Sequence, residues 1–475
     1  MSGMTPQAVV ERVLELARAD GCMVLVEESA RANLRWAGNS LTTNGATRSR
    51  TVTVIALSAS GRGVSIGART RTGGADDDLE DLVRAAEEAA GQALPAEDSA
   101  PLLEPGEARV PEAADWDAPV PTTDILVFSG LAPGLGRAFE RGSAGGRRLY
   151  GYAEHTVDSV FFGSSTGVRL RHDQPSGTVE LNAKTGSSFS SADGGHSAWA
   201  GRATRDFTDV DTAELEDEVA RRVRWARRRV DLPAGRYETL MPSSAVADMM
   251  YFLYSAATAR DAAEGRTVFS GGEGGGATRI GDRLAGMPLT LLSDPAYPGL
   301  ECAPFIAAPA AGRRVTAFDN GVPLTRTEWI SGGKLAALPQ TRRSAQLTGL
   351  PLTPHIDNLV LEAGGGTAGL EEMVAQTERG LLLTCLWYVR QVDPQTLLLT
   401  GLTRDGVYLV EDGEVTGAVN NFRFNESPVS LLDRATQAGA TVPTLGREVG
   451  DSFPRTAMPP LRIPDFNMST VSQAS

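Results

Sequence analysis

One stretch constrains the fold more than any other. Residues 243–262, within "SSAVADMMYFLYSAATARDAAEG", are apolar on nearly every side and predict a single helix. A helix without a polar face has to be enclosed, because each large apolar side chain gains roughly 1.5–3 kcal/mol from leaving water. The chain therefore needs sheet and loop around residue 250. It has the material: 475 residues, 41% hydrophobic and 22% charged, enough for about two or three domains with large cores.

What surrounds the helix reads mostly as strands. After an amphipathic helix at 6–20 come "CMVLVEES", "ANLRWAG", "RSRTVTVIALSASG" and "GRGVSIGART". They are β-branched, partly alternating and punctuated by Gly and Asn. "DDDLEDLVRAAEEAAGQAL" predicts a helix with acidic residues in its first turn, where the macrodipole favours them. Residues 95–120, rich in Pro, Ala and acids, read as a surface connector. A helix at 123–142, strands over 150–205 and a helix in "TAELEDEVARRVRWARRRVD" follow, the last capped by Asp211 or Thr212. Its arginines are expected to solvate one face. Beyond the apolar helix lie the glycine-rich "SGGEGGGATRIGDRLAG", strand-rich sequence to about 425 and a helix at 428–437. A proline-bearing tail after 450 reads as extended chain. The expected fold is α+β and β-rich, with mixed and antiparallel sheets and flanking helices. An N-terminal domain would span 1–232, and a C-terminal domain, 233–475, would enclose the helix.

The formal net charge of −14 argues against nucleic acid and against anionic membrane, since phosphate surfaces need a basic footprint. Lysine occurs only at 184 and 334. Cys22, Cys302 and Cys385 form no CxxC pair, and the start lacks the basic and apolar segments of a signal peptide. No apolar run reaches membrane-spanning length. A reducing cytoplasm is the expected location.

Two motifs imitate catalytic ones. "GSSTG" at 163–167 matches G-x-S-x-G, but the alternating "VRLRHD" behind it predicts a hairpin, not the strand-to-helix elbow that exposes a nucleophile at Ser165. Gly364, Gly366 and Gly369 match G-x-G-x-x-G between a strand and a helix. Strand upon strand follows, however, and Glu371 and Glu372 place negative charge where a pyrophosphate would lie. The four histidines, at 155, 172, 196 and 355, show no metal-ligand spacing.

Five blocks, in order over nearly the whole chain, resemble the TldD/PmbA (TldD/TldE) family. They are "NSLTTNGATRSRTVTVIALSASGRGVSIGARTRTGG", "SVFFGSSTGVRLRH" with Ser164 at the family's usual asparagine, and "LPAGRYETLMPSSAVADMM". "AFDNGVPLTRTEWISGGKLAALPQTRRSAQLTG" and the strand series from "GLLLTCLWYVRQVD" to "NNFRFNES" complete the set. In that family the TldD-like members carry His-Glu-x-x-x-His on the central helix and a later cysteine, which bind the zinc that activates water for peptide hydrolysis. Here the helix positions hold Met249, Met250, Tyr251, Phe252, Leu253 and Tyr254, and the cysteine region holds Leu402, Thr403 and Arg404. The resemblance thus implies the PmbA/TldE-like branch without the zinc motif: a non-catalytic subunit of a heteromeric metallopeptidase acting on unfolded or modified peptides. This chain would bind no cofactor, and zinc would reside in a TldD-like partner. Asp319, Asn320, Gly321, Arg326 and Lys334 are the candidate peptide-side residues, the first three shaping a turn and the two cations meeting carboxylates. The alternatives are a homodimeric peptide-binding scaffold and a self-sufficient hydrolase using a zinc site built from His155, His172, His196 or Asp173.

Overall fold

The computed structural model describes residues 3–73, 78–186, 195–272 and 277–472. The run 273–276, within the glycine-rich stretch, lies outside them. The N-terminal half is one antiparallel sheet built from β1 (Gly21–Trp36), β2 (Leu41–Ser60), β3 (Gly63–Thr72), β4 (Arg148–Ser164), β5 (Arg169–Lys184) and β6 (Ser197–Thr204). Its strand order is β3-β2-β1-β4-β5-β6.

Period-2 alternation assigns the two faces of this sheet. On β1 the even residues Val24, Val26, Ala32, Leu34 and Trp36 lie beneath helices. Those helices are α1 (Pro6–Leu16), α2 (Leu79–Gln92), α3 (Leu131–Ala144) and α4 (Thr212–Trp225). The odd residues Met23 and Leu25 join the core of the C-terminal half. Ile55 and Leu57 of β2 and Phe162 of β4 do the same. One side of the sheet is therefore a lid over the second half of the chain.

Asp211 caps α4, its side chain accepting from the Ala213 amide at 2.7 Å. One of the α4 arginines departs from expectation. Arg222 is buried, paired with Glu218 at 2.6 Å and donating to the Trp199 carbonyl. Arg221 and Arg224 do face outward.

The C-terminal half holds two mixed sheets. In the larger, the strand Leu461–Val471 runs between Phe422–Glu426 and Gly235–Met241, antiparallel to both. The tail that reads as extended chain is thus a central strand. Pro464, which cannot donate to the ladder, is tolerated because the register shifts between Ile463 and Phe466. At this bulge Asp465 takes φ 55°, and Arg434 donates to the Pro464 and Asp465 carbonyls at 2.7 and 3.0 Å.

The apolar helix, α5 (Ser243–Ala256), packs between the sheets against Gly235–Met241, Val442–Thr444 and Thr456–Met458. The expected single helix over 243–262 is broken after Ala256. Ala257 leaves helical geometry (φ −87°, ψ 75°), and Thr258 caps a separate short helix, Ala259–Ala263, by accepting from Asp261 N.

Candidate functional site

The helix α5 provides none of the imidazoles that a zinc helix needs. Ala245 through Met250, Leu253 and Tyr254 are all buried, and every one but Asp248 belongs to the main core. Asp248 is the one carboxylate on the helix, and its oxygens are already engaged. Oδ1 accepts from the Glu448 and Val449 amides at 3.0 and 3.2 Å, and Oδ2 accepts from the Arg447 amide at 3.2 Å. Burial pushes this carboxyl up to about 8, against the pull of the three N–H donors. The chain approaches so closely that a Cβ on Gly446 would stand 2.5 Å from Asp248 Oδ1, so glycine is required there.

This clamp positions Arg447. Its guanidinium lies over the rings of Trp387 and Trp199, at 4.4 and 5.1 Å from their centroids. It also donates to Glu180 Oε2 of β5 at 2.8 Å. Glu180 accepts from Trp199 Nε1 at 2.8 Å and from the Tyr152 hydroxyl at 3.2 Å. The buried Asp248 thus fixes the loop that joins the two halves of the molecule.

The other end of α5 is aromatic. The Tyr254 hydroxyl donates to the Ile356 carbonyl and accepts from the Ile356 amide. Its ring contacts Trp329, His355 and Phe453. Above it stands the guanidinium of Arg314, 5.3 Å from the ring centroid. Arg314 Nη2 donates to His355 Nε2. That leaves the imidazole proton on Nδ1, 3.6 Å from an Asp357 carboxylate oxygen. Burial, aided by the neighbouring guanidinium, holds His355 well below the ordinary histidine value, so it is neutral.

Zinc does not fit this end either. The nearest imidazole is occupied by a cation, and a second cation would be repelled at such range. Among the described residues, no group of three or more His, Cys, Asp and Glu side chains could hold a metal ion. His155 has both ring nitrogens engaged, with Thr123 Oγ1 at 2.7 Å and the Arg205 carbonyl at 2.8 Å. His172 bonds Gln174 at 3.0 Å.

The residues singled out on the sequence divide by burial. Asp319 and Asn320 are buried. Asp319 accepts from the Arg342 amide and Nε, both at 3.1 Å, and Asn320 Nδ2 donates to the Ala308 carbonyl at 2.9 Å. Gly321 has φ 88°, and a Cβ there would come within 3.2 Å of the Phe162 ring. The three form a turn wedged against the N-terminal sheet. Arg326 and Lys334 are exposed: Arg326 pairs with Glu328 at 2.8 Å, and Lys334 lies in Lys334–Leu335, the end strand of the smaller C-terminal sheet.

Both imitations resolve structurally. Ser164 ends β4 and Arg169 begins β5, so the G-x-S-x-G run is a hairpin, and Ser165 Oγ accepts from the Cys22 amide at 3.1 Å. The helix after the glycine run is only Leu370–Ala375, and a Cβ on Gly366 would meet the Gly439 carbonyl at 2.5 Å. That glycine admits neighbouring backbone, with no need of a phosphate to explain it.

Sequence reasoning passed over Asp248, although an acid inside an otherwise apolar helix is itself a signal. Arg314 and His355 gave none: they and Tyr254 are brought together only by long-range folding.

Comparison with known proteins agrees with this architecture. Residues 234–470 match the model of the PmbA/TldA metallopeptidase C-terminal domain, and 133–227 match that of the PmbA/TldA metallopeptidase central domain. Among curated proteins, none matches the chain. Among solved structures, TldE from Thermococcus kodakarensis superposes with a TM-score of 0.77 at 16% identity, covering 97% of this chain and 99% of that one. A putative modulator of a DNA gyrase from Thermotoga maritima gives 0.74 at 15% identity, covering 98% and 100%. A putative modulator of DNA gyrase from Bacteroides thetaiotaomicron gives 0.73 at 14%, with the same coverage. At these identities the structures speak for the fold. No helix among the described residues is long and apolar enough to cross a membrane. The chain belongs to the TldD/PmbA metallopeptidase family.

Proposed function

We propose that this chain is the non-catalytic, TldE-like subunit of a cytoplasmic heteromeric peptidase, whose zinc-bearing TldD-like counterpart hydrolyses unfolded or modified peptides. One observation carries the reading. The helix that bears the metal ligands in TldD-like relatives is here core packing, its single carboxylate consumed by three backbone amides. The nearby imidazole is consumed by an arginine.

In this reading the chain completes the cleft and grips peptide through sheet edges, where main-chain bonds tolerate any sequence. Arg326, just before the strand Thr327–Ser331, and Lys334, on the end strand Lys334–Leu335 of the smaller C-terminal sheet, are exposed and meet carboxylates of the substrate. Asp319, Asn320 and Gly321 shape the turn that precedes them in the chain.

The test is a cleavage assay on an unfolded, labelled peptide. The chain alone should be inactive, and adding it to the zinc-bearing counterpart should raise cleavage severalfold. Equal rates with and without this chain would defeat the subunit reading.

A further inference from the structure

We propose that Arg314 is a carboxylate-binding site for peptide, built at the aromatic end of the central helix. It deepens the peptide-gripping reading above and rests on it. Arg314 is a charge with no counter-charge of its own among the described residues. Arg171 and Arg222 are buried and Arg342, Arg447 and Arg462 half-buried, and each reaches a carboxylate: Asp173, Glu218, Asp319, Glu180 and Glu238. Arg314 is largely withdrawn from water, yet among the described residues it forms no ion pair. The acid that its field reaches is Asp357, whose carboxylate lies against the far nitrogen of His355. The other titratable groups facing it are Tyr251 and Tyr254.

An unpaired guanidinium in a desolvated place is costly unless something completes it. The arrangement leaves one donor open. Nη2 is spent on neutral His355, and the Tyr254 ring covers one face. Nε is buried without a partner, and Nη1 has no partner among the described residues and keeps contact with solvent. The loop is held in place from the connector of the N-terminal half, where Asp98 accepts from the Gly312 amide at 3.3 Å and from the Thr316 hydroxyl. A fixed cation with a single donor, Nη1, open to water matches one monoanion held by one charge-assisted hydrogen bond. Phosphate recognition would call for further cations, and the surroundings supply Asp357 instead. The ligand class is therefore a peptide carboxylate, carried either at the chain terminus or on an Asp or Glu side chain.

The experiment uses the full chain alone and fluorescein-labelled unstructured decapeptides, read by anisotropy. One pair differs in a C-terminal acid against amide, the other in internal Asp against Asn. In one of the pairs the carboxylate form should bind at least roughly tenfold more tightly, as expected for a charge-assisted hydrogen bond. The pair that discriminates identifies the source. Arg314→Gln should abolish the preference, Arg314→Lys should keep only part of it, and the remote Arg12→Gln should leave it intact. Circular dichroism melting confirms that the variants are folded. Equal binding within both pairs, no measurable binding of any peptide, or a preference surviving in folded Arg314→Gln would overturn the site. No carboxylate preference in the unmutated chain alongside intact stimulation of the counterpart would sink Arg314 and spare the subunit reading. A preference in the unmutated chain without stimulation of the counterpart would do the reverse.

Discussion

Asp248 and Arg314 each place an ionisable group against the central helix, one within its first half and the other beyond its last turn. The fold treats them in opposite ways. Asp248 is fully buried and fully answered: three amides point at its two oxygens, and a glycine clears the way for them. Arg314 has one protein acceptor, one buried donor without a partner and one donor open to water. An ionisable group whose polar atoms are met inside the protein is architecture. A charge that the protein orients and then leaves incomplete is poised for something that arrives from outside.

The largest effect that would break this contrast is at the answered end. Asp248→Ala strands three amides in the core and frees the loop that carries Arg447. It should cost about 3 kcal/mol in denaturant unfolding. A loss within about 0.5 kcal/mol would mean that water or a shifted loop satisfies the amides, and Asp248 would no longer be the clamp.

A smaller effect distinguishes the ends by pH. His355 is held well below 6.5, so below about pH 6.5 the unfolded chain takes up a proton that the native state refuses. Its contribution to stability therefore falls as pH drops from 7 to 5, by at most about 1.4 kcal/mol per pH unit. Asp248, pushed up to about 8, has the opposite sign. The native state keeps a proton that the unfolded chain releases above about pH 4, so its contribution falls as pH rises from there towards 8. Unfolding of wild type, Asp248→Ala and His355→Gln at pH 5, 6 and 7 separates the two slopes. Two differences of the same sign would contradict the assignment.

The same two ends show how far the sequence could be read. An apolar run with helical spacing announces a buried helix wherever it occurs, and α5 is that helix. Its break at Ala257–Thr258 was not visible, because Thr258 caps the next helix with a side chain that fits equally well inside one. The hairpin at Ser165 was legible because strand alternation resumes at once. The central strand Leu461–Val471 was obscured by Pro464, whose bulge is permitted by Arg434 some thirty residues away. Asp319–Gly321 reads as a surface turn, since Asp, Asn and Gly favour turns anywhere. Its burial depends on Phe162 and Arg342, which local sequence does not announce. Arg314, His355 and Tyr254 converge from three separate elements, and no spacing rule links them.

The most direct test measures stability and peptide affinity on the same two variants, below the melting range of both. Asp248→Ala should lose about 3 kcal/mol of stability and keep the preference for carboxylate peptides. Arg314→Gln should lose the preference, by roughly tenfold or more, with stability changed by less than about 1 kcal/mol. If one substitution removed both properties and the other neither, the division of the helix into an architectural end and a receiving end would be contradicted.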